Sequence, residues 1–158
     1  MIDPELNDKL MQTFETCEIH LKRMEFASSK MEGIIPLTPD TYNKMDDEAV
    51  SFIDQYIFRF SKLQDIIGGR LFPLTLEALA EPVAGKPFID ILNRLEKLEV
   101  IDSALSWIQL RKIRNDVTHE YPALVSEKIE GINLLFENLG VIKMIIFRCR
   151  SILDKHGL

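Results

Sequence analysis

Apolar residues return at intervals of three and four along most of this chain, and that period can bury them on one side only if the backbone is helical. Leu6, Leu10, Phe14, Cys17, Leu21 and Met24 make the first such stripe and leave Lys9, Glu15, Glu18 and Lys22 mainly off it. Asp3 is placed to cap this helix, with Pro4 at the first helical position and Glu5 in the first turn, where an acid favours the helix dipole. Its end is expected near Glu32-Gly33. No stretch carries the period of two that a half-buried strand requires.

Two prolines make the run from Ile34 to Pro39 a connection rather than a helix. A second long helix is expected from about Thr41 to Ile67, with Ala49, Phe52, Ile53, Tyr56, Phe60, Leu63 and Ile67 on its apolar face and Gly68-Gly69 as its stop. From Arg70 to Ile101 the pattern breaks into shorter pieces, Leu74 to Ala80 and Phe88 to Leu98, separated by the Pro82, Gly85 and Pro87 turn. Their apolar residues suit an ordered appendage on the bundle. Asp102 is a suitable cap for a third long helix, which turns Leu105, Ile108, Ile113 and Val117 inward. The last helix begins after Tyr121-Pro122 or near Ser126 and runs on Ile132, Leu135, Leu139, Ile142, Ile146, Cys149 and Leu153. Gly131 and Gly140 within it mark close contact or bending. The fold class that follows is all-α: an antiparallel up-and-down bundle of four long helices plus one or two short helices in an insert, in a single domain over residues 1–158.

A net charge of −6 argues against binding nucleic acid through bulk electrostatics, so any RNA site must be local. The N-terminal residues lack the basic and apolar blocks of a signal peptide, and no apolar run approaches a membrane span, so a cytoplasmic location is expected. Cys17 and Cys149 both fall on apolar stripes and read as buried core residues. No Cys and His spacing suggests a metal site, and none is expected, nor is a cofactor.

Chemistry concentrates in the stretch Arg111 to Pro122, where cations, a histidine and a tyrosine crowd the end of a helical pattern. Histidine exchanges protons near neutral pH, and arginine grips phosphate oxygens with a planar fork. Arg114 and His119 therefore suit a metal-free ribonuclease, which needs a base for the ribose 2′-hydroxyl and a cation for the attacked phosphate. Asn115 can position the phosphate or the ribose, and Arg111 and Lys112 are weaker candidates for RNA binding. Five positions of straight helix rotate by about 500°, leaving Arg114 and His119 roughly 140° apart. Such a site requires either a helix that loosens at His119 or a second chain that brings its own His119 to Arg114.

Arg114, Asn115, His119 and Tyr121 spell R-x4-H-x-Y with a polar residue after the arginine, a spelling that resembles the HEPN family. The longer form is similar to the HEPN toxins encoded beside MNT nucleotidyltransferase antitoxins, and the helix segment Asp54 to Asp65 containing Arg59-Phe60 looks like the family's second helix. The resemblance implies an RNA endonuclease toxin of a type VII-like pair, a homodimer needing no metal, with Arg114 and His119 catalytic and Asn115 in support. It also implies that Tyr121 accepts AMP from the antitoxin. A bulky negative group there would repel the RNA phosphate. An alternative from another class is a non-catalytic helical partner that binds or presents substrate to a nucleotidyltransferase. Plainer readings stand beside both: His119 as a surface histidine near a helix C-terminus, Arg114 paired with Asp116 or Glu120, and Tyr121 packed under a loop.

Overall fold

The structure is a computed structural model, and it describes residues 2–119 and 124–157. All regular structure among them is helical. Helix α1 spans Pro4–Lys30, α2 Pro39–Asn43, α3 Asp47–Ile66, α4 Phe72–Ala78, α5 Phe88–Lys97, α6 Ala104–Thr118, α7 Val125–Glu137 and α8 Leu139–Lys155. The main packing pairs are α1 with α3 and α6 with α7, while α8 and α4 close over α1. No helix of the described residues is long and apolar enough to cross a membrane.

Helix α1 starts as its sequence dictates: the Asp3 carboxylate accepts from the Leu6 amide at 3.3 Å, with Pro4 directly behind it. Its stripe from Leu10 to Met24 is buried, and both cysteines are free thiols with no exposed surface. Burial pushes each thiol up to about 12. The proline connection is tied to α7 through Asn133, whose side-chain oxygen accepts from the Leu37 amide at 2.7 Å and whose Nδ2 donates to the Leu37 carbonyl at 3.0 Å. That connection holds the short α2, so α3 begins at Asp47 under an Asp46 cap rather than at Thr41.

Gly68-Gly69 does not stop α3. The chain continues through one wide π turn, Ile67–Leu71, closed by the Phe72 amide on the Ile67 carbonyl, and then into α4. Pro73 gives a physical reason, because it has no N–H for Gly69 and its ring would collide with that carbonyl in α geometry. The insert is also more than an appendage. Leu71, Phe72, Leu76, Leu92 and Leu95 are completely buried, and Phe72 packs its ring 4.8 Å from Trp107 of α6.

Three further expectations are corrected. The last helix is divided at Asn138, which sits at φ −89° and ψ 7° with its Nδ2 donating to the Leu134 carbonyl at 2.7 Å, a side chain competing with the backbone ladder. Asp102 does not cap α6; Ser103 does, accepting from the Ser106 amide, while Asp102 binds Arg148 at 2.7 Å. Leu105 and Ile108 do not enter the core: they are 62% and 43% exposed. Their places inside α6 are taken by Trp107 and Leu110.

Candidate functional site

Helix α6 is pinned at its start, where the Ser103 hydroxyl and the Glu96 carboxylate of α5 accept from the first free amides. At the other end the Thr118 hydroxyl donates back to the Arg114 and Asn115 carbonyls at 3.0 and 3.2 Å. The helix then stops. His119 has extended backbone, φ −70° and ψ 137°, so its imidazole leaves the helical phase at the mouth of the groove between α6 and α7.

That groove encloses about 700 Å³ and is lined by Lys112, Asp116, His119, Glu127 and Lys128 among others. Gly131 also lines it. A Cβ at that position would lie 2.6 Å from Val117 Cγ2, so a larger residue would force the close α6–α7 approach to shift. The lining mixes acids with lysines and gives no excess of positive charge.

Arg114 lies elsewhere. Its side chain is 11% exposed and turns toward α3, where Nη2 donates to the Asp65 carboxylate at 3.0 Å. Its Nε is buried with no hydrogen-bond partner among the described residues. One chain therefore presents the histidine in the α6–α7 groove and holds the arginine against Asp65 of α3. Asn115 is exposed on α6. The two weaker RNA candidates also part company: Lys112 lines the histidine groove, whereas Arg111 stands 6.0 Å over the Phe88 ring in a second cleft. Tyr121 and Pro122 lie outside the described residues.

Asp65 is a site residue that local reasoning misses. The arginine's partner stands 49 positions away, whereas sequence offers only neighbours such as Asp116. His20 is likewise missed; its Nδ1 lies 3.2 Å from Arg59 Nη1 across the α1–α3 contact. Arg59 and Phe60, singled out on α3, separate by role: Phe60 is core, and Arg59 meets this histidine.

Chemically, the arrangement offers an imidazole at an accessible helix end and a guanidinium fixed by a carboxylate on a neighbouring helix. No family model, curated protein or solved structure matches the chain.

Proposed function

We propose that this chain is a metal-independent RNA endonuclease toxin that works as a homodimer on a HEPN-like four-helix core and is silenced by an MNT-type nucleotidyltransferase that places AMP on Tyr121. The observation that carries the reading is His119 standing at an accessible, already unwound helix end within the R-x4-H-x-Y spelling. In the proposed reaction its imidazole takes the proton from a ribose 2′-hydroxyl, whose oxygen bonds to phosphorus while the bond to the 5′-oxygen breaks. The leaving oxygen takes up a proton, and the products are a cyclic phosphate and a 5′-hydroxyl end. Arg114 holds the charge that builds on the phosphate oxygens.

Because Arg114 of one chain is turned to Asp65 of α3 while its His119 lines the α6–α7 groove, we assign the pairing to two chains. The exposed face of α6 supports it. Leu105, Ile108, Lys112 and Asn115 recur at intervals of three and four on α6, so two exposed apolar residues lie in line with two polar ones. Purified protein is expected to cleave RNA in EDTA, with Arg114→Ala and His119→Ala each slowing cleavage roughly a hundredfold or more at unchanged helicity. Equal cleavage by both variants and the parent would remove the site. After co-expression with an adjacent nucleotidyltransferase, mass spectrometry should find added AMP on the Tyr121 peptide.

The second reading, a non-catalytic partner of a nucleotidyltransferase, is favoured by the Arg114 ion pair with Asp65, which already satisfies part of the guanidinium. It expects a stable complex and no cleavage by the purified chain.

A further inference from the structure

A smaller cleft, about 290 Å³, opens where the π turn passes α5 and α6. On its wall Gln64 is 2% exposed, and neither its Nε2 nor its Oε1 has a hydrogen-bond partner among the described residues. Trp107, 3% exposed, lines the same cleft with its Nε1 equally unpartnered. Three unanswered polar atoms around one cleft are unusual in a folded interior, where buried donors and acceptors are almost always paired. A π turn is also the kind of helix irregularity that recurs at functional sites.

The three atoms comprise two donors and one acceptor, on residues that line the cleft with Phe88. Gly68 lies beside two aromatic rings of the cleft: a Cβ there would touch Trp107 Cζ2 at 3.4 Å and Phe88 Cζ at 3.5 Å. Arg111 stands over the outer ring, Phe88, at 6.0 Å from its centroid and is itself exposed. Asp65, which tethers Arg114, lines the same cleft. The volume lies just below the range of ligand clefts, about 300 to 1,000 Å³, which limits an occupant to a small group.

We infer that this cleft is a nucleobase-binding site, in which Gln64 and Trp107 read the hydrogen-bonding edge of a base and Arg111 meets its phosphate. Every nucleobase carries a donor beside an acceptor, the complement of a primary amide, and two flat faces for aromatic walls. The polar atoms of Gln64 and Trp107 are closed to solvent, so this binding mode requires the half-buried Phe88 ring and the exposed Arg111 to turn outward. The base belongs either to a free nucleotide or to single-stranded RNA. Neither source requires that the chain cleave RNA, so the inference stands apart from the nuclease reading.

Trp107 is the only tryptophan of the chain and reports directly from the cleft. Its fluorescence is to be followed while the full chain is titrated with each of the four ribonucleoside 5′-monophosphates, the matching nucleosides, and a single-stranded oligoribonucleotide of about six residues. A saturable change is expected, weakened at least tenfold in Gln64→Met and in Gln64→Leu, whose thermal midpoints stay level or rise because an unpartnered amide has left the interior. Arg111→Gln should weaken nucleotides but not nucleosides. Tighter binding of the oligonucleotide than of any monomer assigns the site to RNA, and the reverse assigns it to free nucleotides. No saturable change with any of these ligands, or undiminished binding in a folded Gln64 variant, overturns the inference. Cleavage assays play no part in that outcome, so loss of the nuclease reading leaves it intact.

Discussion

His20 shows how one side chain can couple the α1–α3 contact to pH. Burial, followed by the neighbouring Arg59 and Lys62 charges, holds its proton affinity below the ordinary histidine range. The unfolded chain binds that proton at the ordinary value, so acid favours unfolding as pH falls through this range, and the native state recovers its full share only above it. Between about pH 7.5 and about pH 5.5, the parent should lose more denaturation midpoint than His20→Gln, as measured by urea titration followed by circular dichroism. Equal losses would assign the pH dependence to other groups. His20 has no partner in its own helix pattern, so its importance rests on a contact 39 positions away. The same limit applies to Arg114, whose placement in a helix is plain from sequence while its carboxylate partner is not.

At the scale of elements, two glycines of one apparent helix have opposite roles. Gly131 lies where α7 crosses α6 against Val117, and Gly140 opens α8 with no atom within 4 Å of an added Cβ. An alanine normally gains up to about 1 kcal/mol over glycine in a helix. At Gly140 some of that gain should appear, roughly 0.5 kcal/mol at the first turn of α8. At Gly131 the 2.6 Å approach to Val117 Cγ2 should outweigh it, giving a net loss of about 1 kcal/mol. Combining Gly131→Ala with Val117→Ala should recover part of that loss beyond additivity in chemical denaturation, since the clash belongs to the pair. Gly131→Ala without loss of stability would mean that α6 and α7 separate easily and that the groove under His119 is soft. Sequence marked both glycines alike. Which one meets a neighbour depends on the bend at Asn138 and on the crossing of α7 with α6.

At the scale of the whole molecule, the exposed α6 face bears on assembly. Leu105 and Ile108 keep the helical spacing of core residues, yet both face outward in the single chain. The proposed homodimer buries them, so Leu105→Glu together with Ile108→Glu should convert a concentration-dependent dimer into monomer in sedimentation experiments. If the site is composite, RNA cleavage should fall with it while the thermal unfolding of the monomer remains cooperative. A double variant that stays dimeric would place any interface on another face. The buried insert makes its own contribution at this scale, because Phe72 of α4 packs against Trp107 while Phe88 of α5 lines the proposed nucleobase cleft.

The sequence by itself determined the helical class, the cap at Asp3, and the burial of Cys17 and Cys149. Each follows from local capping chemistry or from the fixed rotation per residue of a helix. Tertiary structure decided which apolar residues of α6 face inward, how Gly68, Gly69 and Pro73 make a π turn rather than a stop, and that Asp65 holds Arg114. It also gathered Gln64, Trp107 and Phe88 around one cleft. These depend on distances between residues far apart in the chain, and a helical period specifies a face without naming the surface it will meet.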